Sequence, residues 1–443
     1  MKKLLNLFLF LSLSNLYSQQ IFPENHQTVP FDGQEELHYK ISLKKNKTYI
    51  ISVFQKNIDV EVLLFDDQNQ QIISTDLADG NNGYDKMEYT ADENRTYILT
   101  IKSVSEKPIS DGLVKINIAT VSKADLSRRR KIAKELKEEN SKNITTVDIQ
   151  HFWEAYDQLK KAKNHQDSVD IIQKKYLDRA TDGLKEFQKV RYFSAEFFVE
   201  RIKKYHKYYE SVRDNTLLPR KMSNLEKLTA KFKHIYSKAK PTKICFTVGP
   251  MSTGGTISNN YLLIGTEMIA GDEACDVSEI TNENLKSDIL SRKNSQEITD
   301  FIEETVSHEY IHTQQKTRDK ESCDCTLLDQ IIREGVASFV SEKLMMNRPS
   351  EVNSLAAKYA TEREKELWQE IKNQLCTKDL SNWLFNASTS KNRPGDLGYR
   401  MGCKIAESYY ENASDKQQAV QEMIEMDNPL LFLDKSKYDL KFR

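Results

Sequence analysis

Glycine (14) and proline (9) are scarce among the 443 residues, which excludes a collagen-like repeat and a low-complexity linker array. Net charge is nearly absent, with 65 Lys+Arg against 66 Asp+Glu giving −1. The basic excess of a nucleic-acid binder is therefore missing. Beyond Leu13 no stretch approaches the ~18 apolar residues that span a bilayer, so no transmembrane helix is expected. No CxxC pair occurs, which argues against a structural zinc knuckle. No cysteine precedes Cys245 and no histidine follows His312. What is there is a chain 30% charged and 9% aromatic, long enough to bury at least one sizeable core. These features describe a soluble, helix-rich protein.

Lys2 and Lys3, followed by the apolar run Leu4 to Leu13, read as a secretory signal over 1–18. Ser18 supplies a small residue at the cleavage point, although Leu16 departs from the usual pattern. The protein is expected to be exported, periplasmic or extracellular, and without a cysteine near that point no lipid anchor is expected there. Six cysteines (Cys245, Cys275, Cys323, Cys325, Cys376, Cys403) permit up to three disulfides in that compartment. Cys323 and Cys325 are too close along the chain to bridge each other easily.

From about 36 to 121 apolar and polar residues alternate with period 2 in seven short runs, His38–Leu43, Thr48–Phe54, Val60–Phe65, Gln71–Ser74, Lys86–Tyr89, Thr96–Ile101 and Leu113–Ile118. Asp, Asn and Gly separate them, which predicts an antiparallel β-sandwich over 19–121. The segments HYKISLKKNKTYIISV, DVEVLLFDDQNQQI and YTADENRTYILTI resemble the bacterial pre-peptidase C-terminal domain. Asp66, Asp67, Asp76 and Asp79 read as turn residues rather than a calcium site. A charged stretch over 122–145 is expected to be an exposed helix or linker, its Arg128-Arg129-Arg130 run a solvated face.

Over 146–443 the period becomes helical, and the aromatic run YFSAEFFVERIKKYHKYYESV reads as helix–helix core rather than a cofactor box. Ile244–Val248 and Tyr261–Gly265, flanking a Gly-rich loop with Gly254-Gly255, predict a hairpin; the loop lacks the Lys-Ser/Thr of a phosphate cradle. Glu267, just beyond, has no role that the sequence suggests.

His308-Glu309-Tyr310-Ile311-His312 is HExxH. Asn294 and Glu297 mark a helix start, and Ile298, Phe301, Ile302 and Thr305 repeat at helical spacing. Two imidazoles one turn apart can share one metal ion, with Glu309 turned to the adjacent open position. With no later histidine, the third ligand must be a carboxylate or thiolate. Glu334 is the best candidate, on a second helical run; Asp319, Glu321 and Cys323 are weaker because they sit in the polar connection. Gly335, Ala337 and Ser338 are small enough to let that run press against the HExxH helix. Glu342 is expected to be solvated. Tyr399, between Gly398 and Gly402, is either an oxyanion donor or a packed aromatic. The Tyr261–Ile264 strand is expected to be the edge that pairs with an extended peptide.

SHEYIHTQQ, IIREGVASFVSE, TVGPMSTGGTISNNYLLIGTEM and NRPGDLGYRMGCKIAESYYE, with DIQHFWEAYDQLKKA before them, resemble bacterial predicted zinc-dependent peptidases related to the gliding-motility lipoprotein B. The resemblance spans about 145–430. It implies a zincin-like fold with His308, His312 and Glu334 on one Zn2+ per chain and Glu309 as base. The gliding-motility relative is a lipoprotein, and this chain lacks the cysteine of a lipid site. The expectation is an α+β protein: a signal at 1–18, a β-sandwich over 19–121, a linker over 122–145 and a mainly helical zincin-like domain with a small sheet over 146–443. Its expected reaction is zinc-dependent hydrolysis of a peptide or protein substrate. The alternative is a non-catalytic cell-envelope scaffold on the same fold.

Overall fold

The computed structural model describes residues 20–23, 26–76, 81–105, 108–258, 260–316, 325–346, 355–387 and 389–443. The export signal expected over 1–18, Asp79, and the ligand candidates Asp319, Glu321 and Cys323 lie outside them. The described chain divides into two compact units, Met1–Lys131 and Ile132–Arg443.

Nine strands build the first unit: β1 (Gln20–Ile21), β2 (His26–Pro30), β3 (Leu37–Leu43), β4 (Thr48–Lys56), β5 (Val60–Phe65), β6 (Gln71–Thr75), β7 (Asn82–Thr90), β8 (Arg95–Ser103) and β9 (Leu113–Thr120). They form two sheets, ordered β1-β3-β8-β5-β6 and β2-β9-β4-β7. Alternation drives the arrangement. In β3, Tyr39, Ile41 and Leu43 are buried while Lys40 and Ser42 face out, as a half-buried strand requires. Ile51 and Val53 of one sheet meet Leu99 and Ile101 of the other in a single core. All seven expected strands are present. The two additional ones, β1 and β2, are too short and polar to show a period, and β1 pairs parallel with β3, so the unit is not wholly antiparallel. Asp66 accepts the N–H groups of Gln68 (3.0 Å) and Gln70 (2.7 Å) in the β5–β6 turn, the turn role expected of it.

A helix over Lys123–Ser141 buries no residue, in keeping with its charged sequence. The boundary between the compact units, at Lys131 and Ile132, falls inside this helix.

The second unit holds a four-stranded sheet ordered β10 (Ile144–Thr145), β11 (Lys243–Thr247), β13 (Tyr261–Gly265), β12 (Gly255–Ser258). The predicted hairpin is corrected here. β11 and β13 run parallel, and the Gly-rich connection contributes its own strand, β12, antiparallel to β13. One extra reversal within the connection converts the expected antiparallel pair into a parallel one. It also moves the sheet edge from Tyr261–Ile264 to Gly255–Ser258.

Helices cover the rest. Phe193, Phe198, Tyr208 and Tyr209 of the aromatic run are buried in one core with Phe187, as expected, whereas Tyr192 and Phe197 of the same run are exposed. Three helices matter most for the site: Ser295–His312, Thr326–Phe339 and Leu397–Asn412. The first starts where the sequence indicates, with Asn294 Oδ1 accepting the N–H groups of Gln296 and Glu297 at 3.0 Å each. The second is pinned at its start by the Cys325–Cys376 disulfide, and Leu327 and Leu328 N–H groups donate to Thr377 and Leu375 carbonyls at 3.1 Å. Cys245, Cys275 and Cys403 are buried free thiols, which leaves one bridge among the described residues.

Gly335 serves a different neighbour from the one expected, while Ser338 does face the HExxH helix. A Cβ on Gly335 would fall 1.9 Å from Gly402 C, and one on Gly402 would fall 1.9 Å from Ile331 O. The close crossing is therefore between Thr326–Phe339 and Leu397–Asn412, backbone against backbone. Gly402→Ala forces these helices apart, an overpacking cost of about 3 kcal/mol. Chemical denaturation should show a fall in stability of that size. A variant as stable as the parent would show that the crossing tolerates a methyl group.

Candidate metal centre

His308 and His312 close the Ser295–His312 helix, beside the stripe that Ile298, Ile302 and Val306 bury. That burial sets the rotation which turns both imidazoles toward the Thr326–Phe339 helix. Glu334, buried on that second helix, meets them. Its Oε2 lies 3.3 Å from His308 Nε2 and 3.0 Å from His312 Nε2, and the two Nε2 atoms are 3.1 Å apart. Among the described residues these three form the group of ligand atoms close enough to share a metal ion. A tetrahedral ion with bonds of ~2.0–2.2 Å sets its ligand atoms roughly 3.3–3.6 Å apart. These three atoms, at 3.0–3.3 Å, need to spread by only a few tenths of an ångström for two imidazoles and one carboxylate to suit zinc.

The surrounding groups orient the ligands. Gln315 Oε1 stands 2.8 Å from His312 Nδ1, which holds that nitrogen protonated and leaves Nε2 free to bind. Gln315 is itself anchored by donating to the Arg333 carbonyl at 2.9 Å. Ser338 Oγ lies 3.5 Å from His308 Nδ1. Such supporting contacts fix imidazole tautomer and direction. Gln315 was not singled out from the sequence, although its place three residues past His312 puts it on the same helical face.

Electrostatics inside the cluster are strong. Burial alone would lower the His312 pKa, but the Glu334 carboxylate beside it raises it to about 9. Burial pushes Glu334 up, and the two imidazoles more than reverse that, leaving it far below the carboxylate range.

Glu309 stands against the sheet edge, and its charge also acts on His312 and Tyr399. A Cβ on Gly255 would lie 2.6 Å from Glu309 Cγ, so the first residue of β12 leaves room for this carboxylate only because it is glycine. The sequence signal was the Gly254-Gly255 pair. Tyr399, in the first turn of Leu397–Asn412, has its ring centroid 6.0 Å from that of His308. Burial first, then the charges of Glu334, Asp396 and Glu309, hold the phenol proton on well beyond its ordinary range. All five expected site residues thus lie in one neighbourhood.

Two carboxylates depart from expectation. Glu342 is buried and paired with Arg400 Nη1 at 3.0 Å, not solvated: the turn that carries it is covered by the Leu397–Asn412 helix. Glu267 is fully buried and accepts the N–H groups of Gly249 (2.7 Å) and Met251 (3.2 Å). Burial pushes its carboxyl up to about 7. Arg201 donates to the Pro250 (3.0 Å) and Met251 (3.3 Å) carbonyls of the same loop. Glu267 therefore secures the connection that leads into β12.

Residues 133–440 match the family described as gliding motility protein GldB. The chain belongs to this family. No curated protein matches it. Among solved structures, the pre-peptidase C-terminal domain of a Bacillus anthracis collagenase is 14% identical, over 23% of this chain and 94% of that one, with a TM-score of 0.20. The Aeromonas hydrophila lysozyme inhibitor PliG is 12% identical over 23% of this chain and all of its own, at a TM-score of 0.18. IMPa from Pseudomonas aeruginosa, solved with an O-glycopeptide, is 11% identical over 93% of this chain and 44% of its own, at 0.14. Nothing about activity follows from likenesses at these scores. No helix among the described residues is long and apolar enough to cross a membrane.

In the metal-free protein, NMR titration should find His312 protonated up to about pH 9. Because that pKa is raised above the unfolded value of ~6.5, its stabilisation is full below ~6.5 and is lost as pH rises through about 9. Glu334→Gln should lower the His312 pKa, since the charge that most strongly opposes burial is then gone. An unmoved His312 pKa would break the link between the two residues.

Proposed function

We propose that the second unit is an exported zinc-dependent peptidase, with His308, His312 and Glu334 holding one Zn2+. The observation that carries this reading is the meeting of these three side chains, from two separate helices, at 3.0–3.3 Å, beside a carboxylate that does not join them. Zinc, when bound, supplies Lewis acidity that polarises a carbonyl and makes water nucleophilic near neutral pH.

The chain's own residues do the rest. Glu309, on the same helix but facing β12, takes the proton of the attacking water and returns it to the leaving amine. Tyr399, held protonated, donates to the oxyanion that develops on the substrate carbonyl. β12 is the edge of its sheet, so its outer backbone groups offer an extended peptide a partner strand. The basic start followed by an apolar run and the Cys325–Cys376 bridge support an oxidising, extracytoplasmic site of action.

A second reading has its own support. Membership of a family described as a gliding motility protein favours a cell-envelope assembly role, with the metal as a structural brace. A brace has no need of Glu309. Zinc content and cleavage of a diverse peptide library, read together by mass spectrometry, separate the two. Glu309→Gln should keep about one zinc per chain and lose ~10²–10⁴-fold in turnover. Glu334→Ala should lose most of its zinc. Tyr399→Phe should slow turnover by ~10²–10³-fold at equal zinc. A zinc-loaded parent that cleaves nothing across the library favours the brace.

A further inference from the structure

Phe385 stands apart from the other aromatic residues around the metal centre. It is 62% exposed, and its φ of 57° lies in the left-handed region, which a bulky side chain rarely adopts. Exposure and backbone strain together disfavour this arrangement on folding grounds, and such outliers persist where the surroundings impose them. Here the surroundings do. Trp383 and Leu384, just before it, are fully buried. Asn386, just after it, is buried and clamped to Asp396: the Asn386 N–H donates to Asp396 Oδ1 at 2.9 Å, and the Asp396 N–H donates to Asn386 Oδ1 at 2.6 Å. Asn386 Nδ2 donates to the Ser381 carbonyl at 2.8 Å. The Gly398 N–H donates to the Trp383 carbonyl at 2.8 Å, and a Cβ on Gly398 would sit 2.7 Å from that oxygen.

The segment is thus knitted to the start of the helix that carries Tyr399, and Phe385 is left pointing out beside it. The two rings meet edge to face, centroids 6.2 Å apart at 87°. The ring of Tyr399 also neighbours that of His308. One aromatic ring therefore separates an exposed phenyl group from a metal ligand.

We propose that Phe385 is a specificity-determining residue: it forms the wall of a subsite for an apolar or aromatic side chain on one of the two substrate residues flanking the scissile bond. This rests on the peptidase reading of the same site. An extended peptide along β12 brings alternate side chains to opposite faces, and one that covers the Phe385 ring gains the apolar contact that the fold itself leaves unmade.

The test has a cleavage arm and a binding arm, both on full-length zinc-loaded protein. In the first, parent, Phe385→Ala and Phe385→Leu act on a peptide library, with cleavage sites read by mass spectrometry. The parent should favour an apolar residue at one flanking position. Phe385→Ala should reduce kcat/KM for those peptides ~10–100-fold more than for glycine-flanked ones, mainly through KM, and Phe385→Leu should restore part of the difference. An unchanged preference in Phe385→Ala, with cleavage intact, overturns the subsite and leaves the peptidase reading standing. In the second arm, Glu309→Gln protein with and without Phe385→Ala captures peptides from the same library without turnover. If the parent cleaves nothing, the peptidase reading fails and this arm decides the subsite. Apolar enrichment that disappears with Phe385→Ala supports it; no enrichment, or enrichment that persists, overturns it.

Discussion

The crossing of Gly335 over Gly402 is the contact on which the candidate site depends. Two helices can approach until backbone meets backbone only where both lack a Cβ at the point of contact. Glu334 precedes one of these glycines directly, and Tyr399 lies one turn before the other. The same crossing therefore sets the positions of Glu334 and Tyr399, the proposed ligand and hydroxyl donor. The buried Glu342–Arg400 pair, at 3.0 Å, lies between the same two polypeptide stretches and adds a charge contact that only one register satisfies.

The candidate ligand cluster carries one negative charge, on buried Glu334, between two half-buried imidazoles. In the absence of metal the Glu334 carboxylate raises His312, and the imidazoles beside it lower Glu334. A metal ion held there, as proposed, would compete with protons for the same lone pairs. Gln315 and Ser338 direct the rings in either case, so the geometry does not rely on the ion alone.

On the other side of Glu309 the sheet edge is held with comparable care. The connection from β11 to β12 contains Met251 at a φ of 58°, a strained conformation for a side chain with a Cβ. Glu267 takes two of its N–H groups and Arg201 two of its carbonyls. A buried carboxylate satisfied by backbone donors is a rigid fixture. It fixes where Gly255 stands, and Gly255 fixes the room left for Glu309.

Local signals decided a good deal. Period-2 alternation is a property of neighbouring residues, so the strands from Leu37 to Thr120 were legible one by one. The Asn294 cap and the apolar stripe from Ile298 onward likewise announced the first ligand helix. HExxH is legible for the same reason, because residues four apart share a helical face wherever the helix sits. Everything that depended on a partner distant in sequence was not. Parallel pairing of β11 with β13 needed knowledge of β12, whose four residues carry no period. Gly335 could not reveal which helix it meets, and Glu342 and Glu267 read as solvated or idle because their partners, Arg400 and the Gly249–Met251 backbone, arrive only on folding. A sequence specifies which face a helix presents; the packing of whole helices and strands decides what that face finds.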